Sequence, residues 1–79
     1  MLTHQELRKL HIAFLRLSLE KPKMRFLSAV TFEDIRNIYD CAMQRRNATE
    51  AKVWMQKKLY QLATKKFEVQ ERRRMKAHN

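Results

Sequence analysis

Apolar residues along the chain recur at helical spacing in two bounded stretches and in one long uninterrupted stretch. Over residues 32–45, Phe32, Ile35, Ile38, Tyr39, Ala42 and Met43 fall on one face of a helix, with Glu33, Asn37, Asp40 and Gln44 opposite. A first helix is expected over about residues 4–20, because Pro22 pushes the residue before it out of the α region. A third begins after Asn47 and meets no breaker, so it is expected over about residues 48–75, on the order of 40 Å long. Residues 24–30 are apolar without a readable period, and a short helical turn, an extended link or a loop end would each suit them.

The third helix reads as carrying two apolar stripes. Ala51, Met55, Leu59, Leu62 and Val69 make one, while Val53, Tyr60 and Phe67, seven residues apart, lie on nearly the opposite side. A helix apolar on two sides is usually held between two partners. The first two helices can cover one side, so Val53, Tyr60 and Phe67 are the expected interface of a homodimer.

Local chemistry at three points supports these starts. Thr3 with Glu6 and Thr31 with Asp34 have the spacing of a capping box, in which the threonine side chain accepts from the third helical amide and the acid reaches back. Leu2 with Leu7, and Val30 with Ile35, stand where a hydrophobic staple would close over each cap. Asn47 with Glu50 is a third cap.

Composition narrows the class. The 79 residues include no glycine and one proline. A phosphate cradle, a dinucleotide fingerprint or an EF-hand loop all need glycine, and an all-β domain needs frequent turn residues. The chain is therefore expected to be all-α, three helices in a single domain, with residues 72–79 a basic tail free to fray. A domain of this length buries only about 60% of its unfolded surface, so its own core is marginal and a partner is expected.

Candidate chemistry is sparse. His4 and His11 share a helix face but sit about 10 Å apart along its axis, too far to ligate one metal ion, and His78 stands in the tail. Cys41 has no neighbouring histidine in sequence and reads as a small buried or half-buried residue rather than a nucleophile. Glu33 and Asp34 are adjacent, so they diverge by about 100° on a helix and cannot act as an acid and base pair. Met1, Met24, Met43, Met55 and Met75 suit either an adaptable groove or, more ordinarily, the filling of a small core. No enzymatic activity, cofactor or metal is expected.

Charge points elsewhere. Eighteen Lys and Arg against eight Asp and Glu give a formal net charge of +10, concentrated in residues 21–30 and along the third helix. Lys58, Lys65 and Arg72 recur every seven residues, with Trp54, Gln61 and Lys76 close to the same line, a cationic ridge of roughly 27 Å. Such a ridge can follow a phosphate backbone, with Trp54 placed to stack on a base, and Arg72, Arg73, Arg74 and Lys76 add non-specific attraction. A solvated helix face with a Glu68–Arg72 pair is the plain alternative. A helix-turn-helix built on residues 45–47 is disfavoured, because the following helix is long for a recognition helix.

The lone cysteine points to a reducing cytoplasm. No apolar run is long enough to span a bilayer, since Arg8, Lys9, Arg16 and Glu20 interrupt the most apolar stretch, and His4, Gln5 and Glu6 are unlike a secretory leader. Residues 8–25 have some character of an amphipathic presequence, against which Glu6 and Glu20 count. The sequence thus reads as a small basic helical protein that binds DNA or RNA through backbone phosphates. The rival reading is an inhibitor or adaptor that docks a basic surface on an acidic partner enzyme.

Overall fold

The computed structural model describes residues 2–77, Ala77 by its backbone alone. Four helical elements follow one another: α1 (His4–Glu20), a 3₁₀ helix (Pro22–Ala29), α2 (Phe32–Arg45) and α3 (Ala48–Ala77). The described residues contain no strand. The all-α class and the three α-helical spans stand, but the expected count of three is corrected to four. Residues 24–30, which showed no period of two or 3.6, belong to the 3₁₀ helix and its end. Side chains three apart eclipse in that conformation. Met24, Leu27 and Val30 are three apart, Met24 half-buried and the other two fully buried. Pro22 opens the element at a position where its missing N–H has no partner to lose.

The caps form as their spacing predicts. Thr3 Oγ1 accepts from the Glu6 amide and Glu6 Oε1 from the Thr3 amide, both at 3.2 Å. Thr31 and Asp34 repeat the exchange at 3.1 and 2.9 Å, and Asn47 Oδ1 accepts from the Glu50 amide at 2.9 Å. At the other ends the absence of glycine has a consequence. No described residue has positive φ, and Lys21, Val30 and Arg46 each stop a helix by switching to extended backbone. The Lys21 amide still closes the last turn of α1 on the Leu17 carbonyl at 2.9 Å. His11 Nε2 lies 3.1 Å from the Val30 carbonyl, so its N–H can satisfy the end of the 3₁₀ helix.

The 3₁₀ helix packs against both α1 and α3, while α2 packs against α3 and, less extensively, α1. Leu27, Val30, Ile35 and Leu59 are buried where these elements converge. The backbones of α1 and α3 stay apart, with no Cα pair between them within 8 Å. Leu2 is tied down by its amide, which donates to the Tyr39 hydroxyl at 2.7 Å.

On α3 the expected two stripes resolve into one line. Ala51, Met55, Leu59 and Ala63 are buried at steps of four, and Phe67, half-buried, continues the series. Steps of four drift by about 40° each, as a ridge crossing its neighbours at an angle must. Tyr60 flanks this drifting line and Phe67 extends it, so neither faces away from it. The Tyr60 ring meets Phe14 and Phe26 edge-on, with centroids 6.3 and 5.6 Å away, and Arg25 lies 6.0 Å over Phe67. Val53, by contrast, is 66% exposed.

The molecule is elongated, 48 × 23 × 19 Å with a radius of gyration of 13.9 Å, against about 12 Å for a compact chain of this length. The excess comes from α3, whose last turns project beyond the core. Residues 72–76 are all exposed and helical, and α3 extends through Ala77.

Candidate functional site

From Gln61 onward the ridge residues face away from the buried line of α3, while Trp54 and Lys58 flank that line at its head. Lys58, Gln61, Lys65, Arg72 and Lys76 are exposed along this face, and Trp54 is half-buried at its head. The 30-residue length of α3 and its lack of a break put these side chains on one continuous support. Arg73 and Arg74 are exposed but lie further round the helix, as consecutive residues must.

Trp54 does not present a bare stacking surface. The Arg46 guanidinium lies 4.1 Å from its ring centroid and Lys58 Nζ 5.7 Å away, both within cation–π range. Its other contacts are with the core. The ring therefore holds Arg46 against the head of the ridge. Arg46 was not legible as a site residue because it precedes α3 in an extended cap conformation, outside any helical period. Gln61 and Lys65 border a shallow hollow of about 380 Å³ with Phe26 and Tyr60 below and Glu68 at its edge.

Pairing of charges is thin on this face. Among the described residues two ion pairs form, Lys66 with Asp34 at 2.6 Å and Arg74 with Glu71 at 3.8 Å. Glu68 and Arg72, the pair that would mark a plain solvated face, do not meet.

Lys66 is turned inward and ties α3 to the first turn of α2. Burial pushes the Asp34 carboxyl up, but hydrogen bonds from Lys66 and from the Thr31 backbone and side chain, with the Lys66 charge, outweigh it and hold the carboxyl below its ordinary value of 3.8. A depressed folded value stabilises the fold above the unfolded value, and that contribution disappears as pH falls through the folded one. Acid titration by circular dichroism should therefore show loss of helix beginning below about pH 4, and Asp34→Asn should remove this share of the acid sensitivity while lowering stability at neutral pH.

The remaining polar residues do not converge. His4 accepts from Arg8 Nε at 3.2 Å and its ring stands edge-on to Phe32, while His11 serves the Val30 carbonyl. Cys41 is exposed, contrary to its expected burial, because the α2 face that packs inward uses Ile35, Tyr39 and Ala42. No group of three or more His, Cys, Asp or Glu side chains gathers among the described residues, and Met1 and His78 lie outside them. No helix among the described residues is long and apolar enough to cross a membrane.

A large trough, about 830 Å³, runs between α1 and α3 over α2. Sequence periodicity gave no sign of it, since it depends on how far apart the two helices are held. Compared with known protein families, with curated proteins and with solved structures, the chain matches none of them.

Proposed function

We propose that the protein binds nucleic acid by neutralising backbone phosphates along the outer face of α3. The observation that carries this reading is the line of exposed cations Lys58, Lys65, Arg72 and Lys76, none of which enters an ion pair among the described residues, on one helix face of a chain with net charge +10. Glu68 is the one acid in this row and pairs with neither Lys65 nor Arg72, so the row keeps an excess of positive charge directed at an extended anion. Arg46, held by Trp54, lengthens the row at its head, and Arg73 and Arg74 broaden it at its end. Consecutive arginines pointing in different directions attract and position; they do not read bases. The reading is therefore a phosphate-binding protein of low sequence preference and no chemistry of its own.

A homodimer through α3 would draw on Val53 and the projecting Val69 and Met75, because Tyr60 and Phe67 are engaged within the chain. Fluorescence anisotropy with labelled duplex DNA and single-stranded RNA, across a salt series, tests the main reading. Affinity should fall linearly on a log–log plot as salt rises. Absence of binding to either polymer at low salt would sink it.

A further inference from the structure

The trough between α1 and α3 is not explained by phosphate binding, since the ridge occupies another face of α3. Its floor is made by the buried Phe14 of α1 and Met55 and Leu59 of α3, and the accessible apolar lining is Leu2 with the half-buried Leu10, Met43 and Tyr60. It runs from the Leu2 and Ala48 end to the Phe14–Tyr60 ring contact, roughly 18 Å at 1.5 Å per residue along either wall. That length matches about three turns of helix.

We infer that this trough is the docking site for an acidic amphipathic helix of a partner protein. The lining is apolar, which suits neither phosphate nor sugar, and it is open along one side. An occupant must therefore be apolar toward the floor and polar toward water. An amphipathic helix meets both demands, whereas a hydrocarbon chain would leave one side wet. Apolar side chains at i, i+3 and i+7 of the occupant would cover Leu2, Leu10, Met43 and Tyr60, the accessible part of the lining. Met43, half-buried, supplies an unbranched side chain that adapts to different occupants.

Charge selects the sign of the partner. Lys9 and Lys52 stand on opposite rims, with Glu6 and Gln56 the other polar groups there, in a molecule of net charge +10. Acidic residues along the flanks of the incoming helix would meet both lysines. The same charges disfavour a second copy. The apolar side chains this chain exposes outside the trough are flanked by cations, Ile12, Leu15 and Leu19 on α1 by Arg8 and Arg16, and Val69 and Met75 on α3 by Arg72, Arg74 and Lys76, which would be set against Lys9 and Lys52.

The test uses the full chain and a labelled synthetic helical peptide of about 14 residues, with leucines at i, i+3, i+7 and i+10 and glutamates on the remaining face. Anisotropy at near-physiological salt should show micromolar binding. It should weaken about tenfold for a peptide of the same composition with scrambled leucines, and for one with lysine in place of glutamate. Lys9→Glu combined with Lys52→Glu, two exposed positions, should weaken it about tenfold. The Lys58→Gln, Lys65→Gln, Arg72→Gln variant should leave it unchanged, which separates this site from the phosphate-binding face. Methyl NMR of the unmodified protein localises the peptide without relying on any variant: Met43 and Met55 should shift on binding, and Met24 and Met75 should not. Equal binding of the scrambled peptide, loss of binding in the ridge variant, or shifts at Met75 without Met43 would overturn the inference. So would shifts at Met43 and Met55 produced by sodium oleate but not by the peptide, or by raising the concentration of the protein alone.

Discussion

Leu59→Ala is expected to lower stability by about 2–5 kcal/mol and to leave much of the protein unfolded at physiological temperature. Leu59 is 1% exposed and sits midway along the buried line of α3, in the core shared with α2 and the 3₁₀ helix. Truncation removes three carbons from a site whose walls are helices, and helices relax only partly into the space. A domain of this size has a total stability of roughly 4–12 kcal/mol, so the loss is a large share of what is available. Each kcal/mol corresponds to about 4–8 °C in Tm for a chain of this length, giving a drop on the order of 10 to 40 °C in thermal melts followed by circular dichroism. A drop of only a few degrees would mean that the three walls do not meet at Leu59.

The second large effect is on binding. Replacing Lys58, Lys65 and Arg72 together by Gln keeps helix propensity nearly constant and deletes three charges from exposed positions, so helix content should be unchanged. For duplex DNA the slope of log affinity against log salt should become shallower by about 0.9 per lost phosphate contact, close to three if all three side chains touch phosphate. Affinity at low salt should fall correspondingly. If the variant folds, and binds duplex and single strand as the wild type does, the row is a solvated face and the docking trough becomes the leading candidate for function.

What could be seen in the sequence was what neighbouring residues decide. The caps at Thr3, Thr31 and Asn47 involve groups three residues apart, and they set the helix boundaries with little help from packing. The ridge was visible for the same reason, because an uninterrupted helix turns sequence spacing directly into position. The 3₁₀ helix was hidden because its period of three at Met24, Leu27 and Val30 matches neither of the two periods that separate helices from strands. Tyr60 and Phe67 were misplaced for a tertiary reason. A fixed stripe assumes that neighbours lie parallel to α3, whereas a line stepping by four drifts round the helix, runs into Phe67 and passes beside Tyr60. The contact of Arg46 with Trp54 crosses a helix break, so no periodicity could have joined them.

The projection of α3 beyond the core divides one continuous helix into two thermodynamic halves. Around Leu59 an amide can exchange its hydrogen with solvent only when the packed core opens, which requires close to the full unfolding free energy. Around Arg73 no tertiary contact has to break, and a few terminal turns are marginal as a helix in water on their own, so opening there is nearly free. Four arginines and lysines crowded between residues 72 and 76 make that end repel itself. An anion laid across them would remove the repulsion and hold the turns closed, and the gain in amide protection would be confined to the outer half of the helix.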